Sequence, residues 1–118
     1  MGAPSQRNKT PQPIPSLTVR EAEERLTQPN SEATLIDVRE AWEYAEVRAR
    51  GASNIPLSEL IRRVGEIPRD RDVLLICHVG QRSMQAALFL QRQGIARVFN
   101  VEGGTDEWEQ AGLPVERA

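Results

Sequence analysis

The sequence contains one cysteine and one histidine, and this scarcity excludes several kinds of site. A single cysteine cannot form an internal disulfide, which favours a reducing compartment, and we expect the protein to be cytoplasmic. One cysteine and one histidine are also too few ligands for a zinc site of the usual composition. We therefore expect neither a metal nor another cofactor.

Long apolar runs and a strong charge of one sign are absent as well. No apolar segment approaches the roughly 18 residues that a membrane span needs, and the N-terminal residues lack the apolar core of a signal peptide. The net charge of −2 gives no reason to expect nucleic acid or an acidic membrane surface as a partner. We expect a protein with neither nucleic-acid nor membrane partners.

The 118 residues, of which 39% are hydrophobic and 27% charged, are enough for one globular domain with a real core. Residues 1–15 contain four prolines and almost nothing apolar. Such a composition cannot bury enough surface to order the chain. We therefore predict a flexible leader over residues 1–15 and a single domain over residues 16–118.

Short apolar, β-favouring runs predict the strands of this domain. Helical segments and short connections separate the runs, which is typical of an α/β domain whose mostly parallel sheet is covered on both faces. The basic stretch at residues 48–51 is predicted to be irregular. The predicted strands are residues 16–18, 34–39, 52–55, 73–76 and 97–101.

Capping signals and apolar spacing predict the helices. Thr18 and Glu21 fit a capping box, which starts a helix that runs to about residue 27. Ser58 is predicted to cap a further helix, with Leu60, Ile61 and Val64 facing inward. Other helical segments are predicted at residues 40–44, 82–93 and from residue 104 through 108, and Trp42 and Trp108 are assigned to packing.

The stretch from residue 72 to residue 83 is the candidate active site. An unbroken apolar strand ends at Cys77, a short polar loop follows, and a helix begins near Arg82. Backbone N–H groups converge on an anion in this arrangement, and the same dipoles would stabilise a thiolate. Gly80 allows the loop to curl. The alternative is that Cys77 is a small buried hydrophobe and His78 an ordinary surface residue.

Two sets of charged residues also bear on the site. Arg82 places a cation where it opposes the helix dipole, which an anionic ligand explains better than helix stability does. Asp37 and Arg39 lie two residues apart at the end of an apolar strand, so their side chains share a face. They either orient part of the site or form a partly exposed ion pair that closes the strand.

Five groups of residues stand in an order and spacing typical of one protein family. They are residues 35–40 (Leu-Ile-Asp-Val-Arg-Glu), 42–44 (Trp-Glu-Tyr), 51–52 with 54–57 (Gly-Ala and Asn-Ile-Pro-Leu), 77–83 (Cys-His-Val-Gly-Gln-Arg-Ser), and 103–104 with 108 and 112–115 (Gly-Gly, Trp and Gly-Leu-Pro-Val). On these residues the chain resembles a single-domain rhodanese, a sulfurtransferase module, from about residue 17 to residue 116. It departs from the family at residues 47–49, Val-Arg-Ala, where Gly-His-Ile is usual, and at His78, where thiosulfate-using members commonly have arginine.

The resemblance implies a three-layer α/β/α fold with a five-stranded parallel sheet of order 3-2-4-5-1. It also implies a persulfide on Cys77, which would carry sulfane sulfur from thiosulfate or another persulfide donor to a thiol, cyanide or a sulfur-acceptor protein. In this interpretation Asp37 and Arg39 are supporting residues. The predicted substrate-binding residues are His78, Val79, Gly80, Gln81, Arg82 and Ser83.

Two other classes of function remain open. One is a non-enzymatic module that carries sulfur or docks a partner; the other is a phosphatase or arsenate reductase, because the same fold houses those enzymes. Phosphatases of this fold have five residues between the cysteine and the arginine, whereas four separate Cys77 from Arg82 here. The shorter loop favours sulfur, since it draws the N–H groups in around a single atom.

Overall fold

A computed structural model of the chain describes residues 12–118. The predicted leader therefore lies outside the described residues as far as residue 11. Within the remainder, the carbonyl of Pro15 accepts the N–H of Asn100 at 2.9 Å, and Ile14 packs against the core. The domain boundary at residue 16 stays a prediction.

The centre of the molecule is a five-stranded sheet in which every pairing is parallel. The described strands are β1 Ser16–Leu17, β2 Thr34–Asp37, β3 Val47–Ala49, β4 Ala52–Asn54, β5 Val73–Ile76, β6 Val98–Val101 and β7 Val115–Arg117. The sheet order is β1-β6-β5-β2-β4, which is 3-2-4-5-1 when its five strands are counted along the chain and read from the opposite edge, so the predicted order is confirmed. Strands β3 and β7 pair antiparallel in a separate ribbon.

The described helices are α1 Val19–Thr27, α2 Ala41–Glu46, α3 Gln81–Arg92 and α4 Gly104–Gln110. The predicted capping box is present, because the Glu21 N–H donates to Thr18 Oγ1 at 3.1 Å and the Thr18 N–H donates to Glu21 Oε1 at 2.8 Å. Helices α1 and α4 cover one face of the sheet and α3 covers the other. The chain thus forms the predicted three layers.

Strand β5 is buried on both faces because it lies in the middle of the sheet. Leu74 and Ile76 join the apolar cluster of α1 and α4, whereas Leu75 and Cys77 join the cluster of α3. This alternation follows from the two-residue period of a strand. It carries Cys77 to the carboxyl edge of the sheet, on the face that α3 covers.

Four predictions about local structure are wrong. The segment after Ser58 forms two 3₁₀ turns, Leu57–Glu59 and Val64–Glu66. The Leu60 and Ile67 N–H groups bond to carbonyls three residues back, and Pro68 has no N–H with which to continue a helix. Ile61 is 75% exposed, and Ile67 is buried beside Leu60 instead.

The basic stretch at residues 48–51 is not irregular throughout, because β3 pairs with β7. Trp42 is 67% exposed and is not a packing residue, unlike Trp108, which is buried.

Candidate active site

The candidate site lies at the carboxyl edge of the sheet, where β5 ends between β2 and β6. The register pairs Leu75 of β5 with Asn100 of β6. Residues paired in this way point to the same face, and Cys77 follows Leu75 by one strand period. Cys77 and Asn100 therefore both face α3, whose first turn carries Ser83.

The loop after Cys77 folds back over the sulfur. The Gly80 N–H donates to Cys77 Sγ at 3.1 Å, and Cys77 is only 1% exposed. Gly80 has φ of +106°, a conformation that residues with a Cβ rarely adopt. A Cβ at Gly80 would have room, because its nearest neighbour would be the Gly103 nitrogen at 3.6 Å. Backbone conformation, not space, requires the glycine here.

Helix α4 holds the carbonyl groups on the outside of this loop. Thr105 donates to the Cys77 carbonyl through its N–H at 2.8 Å and its Oγ1 at 3.1 Å, and the Asp106 N–H donates to the His78 carbonyl at 3.1 Å. The carbonyl and N–H of a trans peptide point in opposite directions. The N–H groups of His78 and Val79 are therefore directed away from α4.

Gly104 allows this close approach. A Cβ on Gly104 would lie 2.4 Å from the carbonyl oxygens of both Cys77 and His78. Its φ of +59° also lies in the left-handed region. Both space and conformation thus require glycine at the point where α4 meets the loop.

The loop and the start of α3 present backbone donors that the protein leaves unused. The Gly80 N–H is taken by the sulfur and the Met84 N–H by the Gly80 carbonyl, but within residues 12–118 the other N–H groups from His78 to Ser83 have no protein acceptor. The first N–H groups of an α-helix lack intrahelical partners, and the helix dipole adds positive potential. The donors without an acceptor are the N–H groups of His78, Val79, Gln81, Arg82 and Ser83.

A short polar chain lies beneath Cys77. Cys77 Sγ is 3.3 Å from Ser83 Oγ, and Ser83 Oγ donates to Asn100 Oδ1 at 2.5 Å. All three residues are buried. The polar atoms next to the sulfur are therefore shielded from water and hydrogen-bonded to one another.

The Arg82 side chain is bound to a partner within the protein. Its guanidinium donates to Glu43 Oε1 at 2.7 Å and to Glu43 Oε2 at 3.0 Å. The side-chain hydrogen bonds with Arg82 are the main cause that lowers the pKa of Glu43 to about 2, and they raise the pKa of Arg82. This ion pair accounts for the cation without an anionic ligand, because the Glu43 carboxylate balances its charge. That Arg82 binds an anionic donor stays a prediction.

Asp37 and Arg39 form a buried pair, not a partly exposed one. Their exposed fractions are 0% and 4%, and Arg39 Nη2 lies 2.7 Å from Asp37 Oδ2. Arg39 Nη2 also donates to the Val47 carbonyl at 2.6 Å. The pair ties the end of β2 to the start of β3, beside α2, whose Glu43 holds Arg82. It can support the loop, but it makes no contact with the sulfur.

One residue of the loop, His78, borders a cleft of about 200 Å³ between α2 and α4. His78 and the exposed Trp42 both line it, together with acidic residues of the two helices. Val79 is 49% exposed, and Gln81 is exposed as well. The loop therefore has a buried inner side at Cys77 and an open outer side.

Among the described residues, no cluster of side chains could hold a metal ion, and no helix is long and apolar enough to cross a bilayer.

Sequence reasoning did not identify four residues that build the site: Glu43, Asn100, Gly104 and Thr105. Asn100 had a usable signal, since it is the one polar residue within β6. Gly104 had another, since a second consecutive glycine at a helix start indicates a close backbone contact. Glu43 and Thr105 act through pairings distant in sequence, which no local pattern reveals.

Comparisons with known proteins agree on one family. Residues 18–111 match the Rhodanese-like domain. A sulfurtransferase of Allochromatium vinosum is 41% identical over 81 residues, which cover 69% of this chain and 76% of that protein. The thiosulfate sulfurtransferase GlpE of Actinobacillus pleuropneumoniae serotype 3 is 38% identical over 89 residues, or 75% of this chain and 82% of that one. The crystal structure of a rhodanese-related protein from Thermoplasma volcanium superposes with a TM-score of 0.79 at 32% identity, covering 87% of this chain and 98% of that one.

Proposed function

Because the chain belongs to the rhodanese-like domain family, we propose that it transfers sulfane sulfur through a persulfide on Cys77. The observation that carries the proposal is the set of backbone N–H groups around this residue that have no protein acceptor. An outer sulfur bonded to Cys77 would be anionic, and preorganised donors stabilise such an anion. The names of the two relatives support sulfur as the transferred atom.

The first step loads the cysteine. The Cys77 thiolate attacks the outer sulfur of thiosulfate, a new S–S bond forms on Cys77, and the S–S bond of thiosulfate breaks. Sulfite leaves with the bonding electron pair, so no electrons are lost overall. The negative charge on the protein moves from Sγ to the outer sulfur, towards the loop N–H groups of His78 and Val79.

The second step unloads it. A thiolate or cyanide attacks the outer sulfur, the S–S bond to Cys77 breaks, and the electron pair returns to Sγ. Thiocyanate or a new persulfide is the product. The N–H groups that hold the outer sulfur keep its position fixed, which favours an in-line approach from the open side of the loop.

The residues from His78 to Ser83 have different roles in binding the outer sulfur and in admitting the donor and the acceptor. The N–H groups of Gln81, Arg82 and Ser83, at the start of α3, bind the outer sulfur. His78 and Val79 add their N–H groups, and the side chain of His78 lines the cleft where the donor and acceptor enter. The charge of Arg82 has the separate task of anchoring α3 to α2 through Glu43.

Intact-protein mass spectrometry after incubation with thiosulfate tests the proposal. We expect a mass increase of one sulfur atom, reversed by a thiol reductant and absent in Cys77→Ser. A matched control moves the thiol: in Cys77→Ser with Ser53→Cys, the only cysteine lies exposed on β4, away from the loop. That double variant should not gain sulfur, because it lacks the ring of N–H groups.

Continuous assay of thiocyanate from thiosulfate and cyanide distinguishes an enzyme from a carrier. Repeated turnover that is lost in Cys77→Ser supports sulfur transfer. Loading without turnover would indicate a carrier module instead. If the chain gained no sulfur from thiosulfate or from a small persulfide, the persulfide mechanism would be excluded.

A further inference from the structure

The side chain of Asn100 sets the direction of the single proton on the Ser83 hydroxyl. Ser83 Oγ is 2.5 Å from Asn100 Oδ1 and 3.3 Å from Cys77 Sγ. An amide oxygen accepts hydrogen bonds and has no proton to donate. The Ser83 hydroxyl therefore donates to Asn100, and its oxygen turns a lone pair towards the sulfur.

A thiol and a thiolate have opposite requirements at this position. The S–H of a thiol can donate to the Ser83 oxygen, whereas a thiolate needs the Ser83 proton and would face a lone pair instead. To donate to a thiolate, Ser83 must give up its bond to Asn100. Both residues are buried, so water cannot easily replace the lost bond.

We infer that Asn100 is a positioning residue that acts through Ser83 to withhold a hydrogen bond from the thiolate of unloaded Cys77. The inference rests on the proposed function in that Cys77 is the reacting group. In the persulfide, Sγ has two covalent bonds and carries neither a proton nor the main charge, so it does not compete for the Ser83 proton. Asn100 thus weakens the free thiolate, which is the nucleophile of the loading step, and leaves the persulfide unaffected.

The pH profile of Cys77 alkylation by iodoacetamide tests this role, since only the thiolate reacts. Asn100→Leu keeps the approximate volume of the side chain but removes the acceptor, which frees Ser83 to donate to the sulfur. One hydrogen bond donated to the charged thiolate should move the midpoint to lower pH by about one to two units. An unchanged or higher midpoint would overturn the inference.

The same substitution in a Ser83→Ala background separates this role from a structural one. Without the hydroxyl, Asn100 has no route to the sulfur, and Asn100→Leu should leave the midpoint of Ser83→Ala unchanged. If Asn100→Leu acted by disturbing β6, it would shift the midpoint equally in both backgrounds. An equal shift would therefore exclude the proposed role.

Asn100→Asp keeps the test decisive if the leucine variant does not fold. A carboxylate still accepts the Ser83 proton and adds a negative charge near Cys77, so the midpoint should move to higher pH. A shift to lower pH would contradict the inference. Alkylation needs no sulfur donor, so these outcomes do not depend on whether the chain transfers sulfur.

The other charged groups around Cys77 are common to all of these variants. Strand β6 contributes no titratable side chain of its own. Charges on the remaining elements shift every profile alike, so the comparison isolates Asn100. They are His78 in the loop, Arg82 of α3 with Glu43 of α2, Asp37 with Arg39 after β2, and Asp106 of α4.

Discussion

Arg82 and Glu43 join the first turn of α3 to the first turn of α2 through a two-bond ion pair. The guanidinium donates to both carboxylate oxygens, at 2.7 and 3.0 Å, and Glu43 Oε1 also accepts the Glu40 N–H at 2.9 Å. Two parallel bonds fix the guanidinium plane as well as its position. The pair therefore holds the helical end of the Cys77 loop against a neighbouring element, without occupying the loop itself.

Because of this pair, the free energy of unfolding should fall as the pH is lowered through the acid range. The pKa of Glu43 is lowered from 4.5 to about 2, so its contribution is complete above about pH 4.5 and is lost as the pH falls towards 2. Glu43→Gln should cost about 1–2 kcal/mol at pH 6, after discounting for the 34% exposure of Arg82, and much less near pH 2. Urea denaturation at a series of pH values measures the difference.

Glu66→Gln is the control for that series. Glu66 pairs with Arg63 through two bonds of similar length, and Arg63 lowers its pKa, but its side chain is 54% exposed. Exposed pairs contribute little because solvent screens them. We expect a small and nearly pH-independent change, and an equal loss in both variants would show that Glu43 has no special role.

Gly104→Ala should displace the Cys77 loop more than it disturbs α4, the helix that contains Gly104. The added Cβ would meet two carbonyl oxygens at 2.4 Å, so the loop at Cys77 must move. Gly112→Ala is a matched control, because its φ of +74° is also left-handed but nothing lies within 4 Å of its Cβ. Left-handed strain alone costs about 1–2 kcal/mol, and the clash should add about 1–3 kcal/mol.

Thermal or urea unfolding and the rate of Cys77 alkylation together check this contrast. Gly112→Ala should lose stability but keep the alkylation rate. Gly104→Ala should lose more stability and change the rate several-fold, since the Gly80 N–H no longer aligns with the sulfur. Equal behaviour of the two variants would mean that the contact of α4 with the loop does not position Cys77.

The buried pair of Asp37 and Arg39 should behave as a unit. Removing one partner leaves a buried charge without compensation, which costs about 3–5 kcal/mol. Asp37→Leu and Arg39→Met should each destabilise by that order, and the double variant should cost less than the sum of the single losses. Urea denaturation of the three variants tests the coupling, and simple additivity would show that the two residues act independently.

The features of the fold that could be predicted from the sequence are those that leave a local pattern in it. The order of the sheet strands, the capping box at Thr18 and the loop at Cys77 follow from apolar periods, caps and the family resemblance. The prediction of a helix after Ser58 was wrong because its apolar spacing is compatible with 3₁₀ turns as well, and the N–H groups of Leu60 and Ile67 bond to carbonyls three residues back. Local patterns do not distinguish the two when the run is this short.

The partners of the site residues were harder to predict. The sequence indicated an anion-binding role for Arg82 because it showed the position of Arg82 at the start of a helix but not its ion-pair partner. Glu43 lies 39 residues away, on another helix, and only the folded chain brings the two together. Asn100 likewise reaches Ser83 through the register of β6 against β5, which the sequence does not state.

The last prediction concerns the size of the loop. Four residues separate Cys77 from Arg82, and the Gly80 N–H turns back to within 3.1 Å of Sγ, so the donors surround little more than one atom. A phosphoryl group on Cys77 would need a wider ring, which one more residue, with about 3.5 Å of contour, would supply. We expect thiocyanate formation from thiosulfate and cyanide but no hydrolysis of aryl phosphates.

Inserting one glycine between Gly80 and Gln81 tests the argument, because α3 begins at Gln81 and the insertion lengthens the loop alone. Thiocyanate formation should fall at least tenfold, since the N–H groups move away from the outer sulfur. The same insertion between Gly94 and Ile95, at the far end of α3, is the control and should leave the activity near that of the unmodified chain. Hydrolysis of aryl phosphates by the unmodified chain, lost in Cys77→Ser, would show that the loop accepts a phosphoryl group and that its length does not select sulfur.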